Sequence, residues 1–588
     1  MAQTRRHGSE LDELPAQRLR QRDSQEGLEL PSVRVRAREA RSRRIYGASR
    51  SALASRDGRD AGDRGPGALA SRDRERRLTR PRRAEREWGG DVAGLGDRIL
   101  RSSLFRVLSP VLNIAISFFM IPYVIGHVGD RWYGLWILIG TMIGYFGFLD
   151  LGIGTANERY VARALGRKDD AEIGRVFSSS VLLFSIVGAV TLVLTAVVIA
   201  VCPRFVKDAA DIPVFRIVFL IVGVDMALSF PVRGIYGFLY AHIRYDVVNI
   251  FDIAKTLMRT ALIVLALERG HGIVALAVAT LAGDLVGYAA NILYLRSRYP
   301  ETLVRLRDFS KKTVRQLYDY SIYSFVSAIA KQLRFNVDAF VITAMLGLVH
   351  VTHYNIGSRI AGYYLLIVIS AISSIKPLFS KLEGEGDYET LRERYHLSLK
   401  LNMILSFFIG GSLLIYGKAF ILRWMGPNYL DSWHVLAVLA VAQIFNTIQV
   451  TPSTLLYGIS KHKIYSLIVV LEGLANLGIS ILLARRFGIV GVALGTLLPV
   501  TMTTLVFIPL YTNRVIGFPN GRFYRTFGRI GAVSAAIHAL SWLAVRGFVT
   551  PSFGRIAGLG AATSIVFLGI TVFALLDRQE RSWLKIPL

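Results

Sequence analysis

Apolar runs of about twenty residues recur along this chain from Leu104 almost to its end. As a helix, each run is long enough to cross a hydrocarbon core about 30 Å thick. With 52% hydrophobic residues and a mean hydropathy of +0.42, the chain is too apolar for an ordinary soluble domain. The pattern predicts an all-α polytopic membrane protein with about fourteen transmembrane helices. The predicted spans are 104–126, 132–154, 176–201, 214–236, 246–267, 272–295, 318–346, 352–375, 399–420, 433–457, 464–484, 489–511, 529–547 and 556–577.

The loops between these spans alternate in charge. Lys and Arg concentrate in the short cytoplasmic loops of membrane proteins. The loops after the second, sixth, eighth and twelfth spans are basic, whereas the intervening loops 126–132, 268–272 and 347–351 are short and nearly free of cations. This alternation predicts that both termini lie in the cytoplasm.

Residues 1–101 form a different segment. They contain many arginines and no lysine, together with Ser, Gly, Asp and Glu, and they show no apolar periodicity, so we expect them to be disordered. Two explanations for this tail remain open: a basic arm held near anionic headgroups, or a stretch upstream of the true start codon. The net charge of +28 comes from this tail and from the basic loops, a distribution that indicates membrane surfaces rather than nucleic acid as the partner.

An internal repeat relates the first six spans to spans seven to twelve at an offset of about 220 residues. Its best match pairs the segment 272–277 with 488–493, each of which opens a span after a very short loop. Repeats of six spans share one orientation, which predicts two lobes related by an axis along the membrane normal, with a cleft between them. The predicted organisation is a tail at 1–101, an N-lobe at 102–296, a basic linker at 297–317, a C-lobe at 318–512, and an extra helix pair with a cytoplasmic C-terminus at 513–588.

The second span ends in the segment Phe148-Leu149-Asp150-Leu151-Gly152-Ile153-Gly154. With Tyr133-Gly134 before it and Arg159 after it, this segment resembles the polysaccharide-biosynthesis branch of the multidrug/oligosaccharidyl-lipid/polysaccharide (MOP) exporter superfamily. The resemblance covers about 104–511 and includes Asp338. It implies a MATE/MOP-like pair of six-helix lobes and a flippase for undecaprenyl-diphosphate-linked oligosaccharide repeats in the bacterial cytoplasmic (inner) membrane. Lipid II flippases are related and have fourteen helices, so the last two helices leave the subfamily open.

Ionisable residues inside the spans are candidates for substrate binding, because lipid tolerates them only when they are paired or face water. On spans five and seven they recur at intervals of three and four residues, which places them on one helical face. The resulting cavity would attract a diphosphate, which Arg holds with two oxygens and Lys with a point charge. The candidate cavity cations are Lys331, Arg334, Lys255, Arg259, Arg106 and Arg359.

Two alternatives to this interpretation remain. Arg334 with Asp338, and Asp252 with Lys255, have the spacing of ion pairs that neutralise each other, which would leave Lys331 and Arg259 as the cations free for phosphate. The acids that could instead carry a coupling proton are Asp225, Asp284, Asp338 and Glu472. For Glu472 we favour a hydrogen bond, and for Asp150, beside Gly152, a capping role or a pair with Arg159.

No catalytic motif or metal-ligand spacing is visible, and the single cysteine, Cys202, excludes a disulfide framework, so we expect neither an enzyme nor a cofactor. The predicted partners are a lipid-linked oligosaccharide diphosphate and membrane lipids, with polysaccharide polymerase and glycosyltransferases as candidate protein partners. Competing functions are a lipid II-type flippase, a cation-coupled drug exporter, which would need an acidic and aromatic cavity, and a membrane-embedded glycosyltransferase, which would need larger outer loops.

Overall fold

The computed structural model describes residues 92–317 and 337–583, apart from residues 205, 207, 302–303 and 548–551. The described part of the chain is helical and contains no strand. Its first half holds six helices, which end at the basic linker. They are α1 (Val92–Phe146), α2 (Ile153–Arg167), α3 (Asp170–Val201), α4 (Asp211–Ala241), α5 (Tyr245–Glu268) and α6 (Ile273–Arg298).

The second half follows a helical stretch at 311–317. Its first helices are α7 (Asp338–Met345), α8 (Leu348–Ile372), α9 (Lys376–Gly384), α10 (Tyr388–Trp424), α11 (Leu430–Ile448) and α12 (Val450–Gly458). The remaining helices are α13 (Lys463–Met502), α14 (Ile508–Ile516), α15 (Asn520–Val545), α16 (Phe553–Ile570) and α17 (Arg578–Trp583).

Within the described residues, ten helical segments are long and apolar enough to span a membrane, so the chain is a multi-pass membrane protein. Helix α5 lies at the predicted fifth span but is not among the ten, and it carries Asp252, Lys255 and Arg259 in its middle. The predicted seventh span falls mostly on residues 318–336, outside the described residues. The count of fourteen therefore stays a prediction.

Two of the ten segments contain a break in the helix. Gly129 interrupts α1 with φ of 80°, and Gly488 interrupts α13 with φ of 59°, a region of backbone space that favours glycine. At the second break the helix folds back on itself, because a Cβ on Gly491 would stand 2.2 Å from the Leu483 carbonyl oxygen. Eight residues of straight helix would span about 12 Å. Both breaks lie where the sequence predicts a short loop between spans.

The predicted repeat has a local counterpart in the backbone. Gly129 (φ 80°, ψ 163°) and Gly347 (φ 100°, ψ 171°) take nearly the same left-handed conformation about 220 residues apart. Each glycine precedes the second span of its half. This agreement supports equivalent chain reversals in the two halves, whereas the arrangement of whole lobes stays a prediction.

Helices of each half pack mainly on one another. In the first half α3 packs on α4, and α6 packs on both α4 and α5. In the second half α11 packs on α8, α10 and α13. The halves meet where α1 packs on α8, with a close approach at Gly134, whose Cβ would come within 2.0 Å of the Leu348 carbonyl oxygen.

The last helix pair packs along α10. The Phe408 and Phe567 rings lie 4.9 Å apart, and Tyr416 forms a 2.6 Å hydrogen bond with Thr563. At one end of α10, the buried Lys400 Nζ lies 2.6 Å from Glu580 Oε2 of α17. A buried charge needs such a partner, so this ion pair ties the end of the chain to the second half.

Candidate functional site

Charged side chains on α5 meet acidic side chains of two neighbouring helices. Lys255 Nζ lies 3.1 Å from Asp252 Oδ1 on its own helix and 3.5 Å from Asp284 Oδ1 on α6. Asp225 of α4 is buried, accepts a 3.1 Å hydrogen bond from the Tyr288 hydroxyl and interacts electrostatically with the Asp284 carboxyl. We name Asp225, Asp252, Asp284 and Lys255 the carboxyl cluster.

Two glycines of α6 leave room for the side chains of the α5 cations to pack against that helix. A Cβ on Gly287 would stand 2.9 Å from Lys255 Cδ, and one on Gly283 would stand 2.9 Å from Arg259 Cβ. The glycines are four residues apart, so they line one face of α6, where the alkyl stems of both cations pack. The spacing of small residues in span six is a known signal of close helix packing, and our sequence interpretation missed it.

The cations of α5 differ in their partners. The Asp252–Lys255 pairing that the spacing predicts is present, and Asp284 adds a second partner. Arg259 is half-buried, and no carboxylate among the described residues forms an ion pair with it. The predicted attraction of the cavity for a diphosphate also depends on Lys331 and Arg334. Both lie outside the described residues, as does the side chain of Arg106.

Two further candidates lie in the second half, on α7 and α8. The Tyr354 hydroxyl donates a hydrogen bond to Asp338 Oδ2. Arg359 is exposed and lies within electrostatic range of Tyr133 of α1. This places Arg359 beside the packing surface of the two halves, and Asp338 in contact with the same helix, α8.

Glu472 lies in a hydrogen-bonded network. It is buried and accepts a hydrogen bond from the Thr503 hydroxyl. Gln449 Nε2 donates to Thr503 Oγ1 at 3.0 Å, while Asn476 Oδ1 accepts from Ser480 at 2.8 Å. These bonds join the two arms of α13 to the end of α11, which agrees with the hydrogen-bonding role that we favoured for Glu472.

The Asp-Leu-Gly motif forms a tight turn between α1 and α2. Leu151 and Gly152 both take left-handed backbone conformations, with φ of 51° and 80°. Asp150 Oδ1 accepts a 3.3 Å hydrogen bond from the Gly154 N–H in the first turn of α2, and Oδ2 lies 3.1 Å from Arg233 Nη1 of α4. Asp150 thus caps α2 and ties it to α4, with Arg233 as its ionic partner where we had considered Arg159.

The halves are joined by polar contacts around Asp130, a residue that our sequence interpretation did not single out. Asp130 Oδ1 accepts a 2.8 Å hydrogen bond from the Tyr429 hydroxyl, and its carbonyl oxygen accepts one of 2.6 Å from Thr352 Oγ1. His353 Nε2 lies 3.9 Å from Asp130 Oδ2. We name Asp130, Thr352, His353 and Tyr429 the Asp130 cluster.

Neighbouring contacts extend this junction. Trp424 Nε1 donates a 2.7 Å hydrogen bond to the Phe118 carbonyl oxygen, and the two rings stack with centroids 5.4 Å apart. The residues of the Asp130 cluster and Trp424 lie at or just beyond the predicted outer ends of their spans, and Phe118 lies about two turns inside the first span. The described structure is therefore closed between the halves at this end.

Arg131, next to Asp130, holds the loop between α3 and α4. Its Nη2 lies 2.9 Å from Asp211 Oδ1 and also contacts Asp208. Hydrogen bonds from the Ala210 N–H and from Arg131 hold the pKa of Asp208 below its usual value. Arg131 thus pairs with both acidic side chains at this loop, Asp208 and Asp211.

Comparisons with known proteins are consistent with this geometry. Residues 99–383 match the family described as polysaccharide biosynthesis protein. A putative O-antigen transporter of Shigella flexneri is 22% identical over 72% of this chain and all of its own length. A probable low-salt glycan biosynthesis flippase, Agl15, of Haloferax volcanii is 21% identical over 69% of this chain and 82% of its own.

A solved structure extends the likeness to most of the chain. The lipid II flippase MurJ in an inward closed conformation superposes with a TM-score of 0.65 and 15% identity, over 81% of this chain and 100% of that one. At this identity the likeness shows the fold. The chain is thus similar to polysaccharide biosynthesis proteins over residues 99–383, and it shares the fold of the MurJ structure.

Proposed function

We propose that this chain is a flippase that moves undecaprenyl-diphosphate-linked oligosaccharide repeat units across the cytoplasmic membrane for surface polysaccharide assembly. The observation that carries the proposal is Arg259, a half-buried guanidinium in a spanning position that has no ionic partner among the described residues. A charged group at this depth of a membrane costs free energy unless an anion binds it. The planar guanidinium can donate to two phosphate oxygens at once. Relatives named as a putative O-antigen transporter and a probable glycan biosynthesis flippase support the same substrate class.

The proposed mechanism is alternating access of the two halves. With the Asp130 cluster closed at the outer end, the headgroup enters from the cytoplasmic side and its diphosphate binds Arg259, with Lys331, Arg334, Arg106 and Arg359 as further candidate contacts. The lipid tail stays in the bilayer. Separation of the outer contacts then releases the headgroup outward.

The carboxyl cluster is the candidate for coupling. It holds three carboxylates and one lysine, so two protons or bound cations are needed to balance its charge in a medium of low dielectric constant. Uptake of a proton or cation by Asp284 would neutralise that carboxylate and free Lys255 from one partner. We infer that Asp225 and Asp284 exchange the coupling ion.

The remaining parts of the proposal concern setting and partners. Both termini lie in the cytoplasm of a bacterial cell, the protein is a transporter without catalytic groups of its own, and glycosyltransferases and a polymerase act before and after it. A lipid II-type flippase is the second candidate, because the MurJ fold covers 81% of the chain, more than the family match at 99–383.

The test is Arg259→Ala in the native host. We expect lipid-linked repeat units to accumulate inside the cell and surface polysaccharide to fall at least tenfold, because the diphosphate loses a charge-assisted bidentate contact. Arg259→Lys should restore part of the export, since it keeps the charge but not the fork. Immunoblots of membranes measure the level of each variant.

Arg485→Ala is the matched control, since it removes an exposed arginine that no described carboxylate pairs with. Unchanged surface polysaccharide in Arg259→Ala would contradict the site. If a strain depleted of this protein kept normal surface polysaccharide but failed to synthesise peptidoglycan, the result would favour a lipid II-type flippase instead.

A further inference from the structure

A cavity lies between the Asp-Leu-Gly turn, α3 and the linker that joins the two halves. Its volume is about 300 Å³, at the lower end of the range for ligand pockets. The helices that hold the carboxyl cluster, α4 to α6, contribute none of its lining, so it is separate from the site proposed for the diphosphate. The lining residues are Leu151, Ile153, Leu183, Val187, Phe309, Lys311, Val314 and Arg315.

The linker side of this cavity is fixed by hydrogen bonds to buried side chains. Ser178 Oγ accepts a 3.2 Å bond from the Arg305 N–H, and Ser179 Oγ accepts one of 3.2 Å from the Ser310 N–H. Both serines are fully buried, so these bonds are shielded from water. The cavity is therefore a built feature of the first half and not a gap under a loose loop.

The chemistry of the lining divides into two parts. The interior is apolar, with Leu151, Leu183 and Val187 among its walls. Lys311 and Arg315 are exposed, and they lie four residues apart on one face of the helical stretch 311–317. Neither forms an ion pair with a described carboxylate. An apolar chamber with two unpaired cations at its edge fits an amphiphile with an anionic head.

The depth of the cavity along the predicted spans indicates which kind of amphiphile it binds. The second span ends at the Asp-Leu-Gly turn, and the cavity reaches from that level to Leu183 and Val187, about two and three turns inside the predicted start of the third span at residue 176. The edge is thus at headgroup depth and the interior at acyl-chain depth. We propose that this cavity binds an anionic phospholipid of the cytoplasmic leaflet, with one acyl chain in the chamber and the phosphate between Lys311 and Arg315.

Such a lipid would bridge the first half and the linker to the second half, so it would act on the relative movement of the halves without touching the transported headgroup. The inference rests on the proposed membrane orientation and not on the transported substrate. Its failure would leave the Arg259 experiment unaffected.

The test is native mass spectrometry of the full-length protein in detergent, titrated with phosphatidylglycerol and separately with phosphatidylcholine. We expect one phosphatidylglycerol to bind in preference to phosphatidylcholine. Lys311→Gln with Arg315→Gln should weaken that binding by about twenty-five-fold, because each cation near an anionic lipid contributes about fivefold. The matched control, Arg307→Gln with Lys312→Gln, removes two linker cations that do not line the cavity.

A second variant tests the chamber itself. Leu183→Trp fills the cavity while leaving both cations in place, and it should abolish the tightly bound phosphatidylglycerol while thermal unfolding of the protein stays close to wild type. The proposal would be contradicted if the control pair lost as much phosphatidylglycerol binding as Lys311→Gln with Arg315→Gln, or if Leu183→Trp bound it unchanged. Either result would show that the lipid is held by general attraction to the cationic surface and not by the cavity. Tighter binding of undecaprenyl phosphate than of phosphatidylglycerol would assign the cavity to the transported lipid and overturn the proposal.

Discussion

Lys255 and Arg259 are one turn apart on α5 but lie in different electrostatic settings. Lys255 is shared by Asp252 and Asp284, whereas Arg259 has no carboxylate partner among the described residues. Spacing along α5 predicts the first of these pairs, because residues three apart lie on one helical face. Spacing cannot predict the contact of Lys255 with Asp284, because Asp284 lies on another helix. The packing of α5 on α6 therefore decides which cation is paired and which is available. The proposed phosphate contact depends on that difference.

At the same scale, Tyr429→Phe tests the outer closure. The substitution removes the hydroxyl that donates to Asp130 Oδ1 at 2.8 Å and changes nothing else in the ring. A hydrogen bond to a charged group contributes about 1.5–3 kcal/mol, so the outward-open population should rise about tenfold or more.

The measurement is the rate at which an impermeant maleimide labels Ile356→Cys in a Cys202→Ala background. Ile356 is fully buried where α8 meets α1, so the rate reports separation of the halves. Tyr524→Phe, which removes a hydroxyl bonded to the Leu505 carbonyl oxygen, is the control. A labelling rate that Tyr429→Phe leaves unchanged would show that the Asp130 cluster does not hold the halves together.

At the scale of elements, the packing of α5 on α6 positions the charged face. The α6 glycines admit the stems of Lys255 and Arg259, which lets a helix with three charges in its middle pack closely in a membrane protein. Without that groove the cations would be held further from Asp284 and Asp225. Packing of one helix against another thus sets the electrostatics of the candidate site.

Gly287→Ala tests this role of α6. The added methyl group would stand 2.9 Å from Lys255 Cδ, so the lysine must shift and its contacts with Asp284 must lengthen. We expect export of repeat units to fall severalfold at a stability cost of about 1–3 kcal/mol, the usual range for overpacking.

Gly478→Ala is the matched control, because its Cβ would meet no atom within 4 Å. Export assays and thermal unfolding in detergent separate a local shift from misfolding. If Gly287→Ala and Gly478→Ala export equally well, the groove does not position Lys255.

At the scale of the whole molecule, the described structure is closed at the predicted outer end, and its last helix pair is fixed to α10 by contacts that run from Phe408 to the Lys400–Glu580 ion pair. The pair therefore belongs to the second half as a structural unit. In the proposed mechanism, alternating access is the movement of that enlarged half against the first, around the contact of α1 with α8.

The proposed orientation makes a prediction about the two membrane faces. In a Cys202→Ala background, His127→Cys should react with an impermeant thiol reagent in intact cells, because His127 is exposed in an outer loop. Glu383→Cys, exposed at the end of α9, should react only after the membrane is permeabilised. Labelling of both sites in intact cells, or of neither, would contradict the predicted topology.

The sequence by itself determined the properties that depend on neighbours along the chain. The apolar runs, the breaks now seen at Gly129 and Gly488, and the charged face of α5 follow from hydrophobic length and helical periodicity. Only the tertiary structure decided which groups meet across helices. Asp284 reaches Lys255, and Tyr429 reaches Asp130, from distant parts of the chain. Those contacts depend on how close-packed helices cross, which local periodicity does not encode.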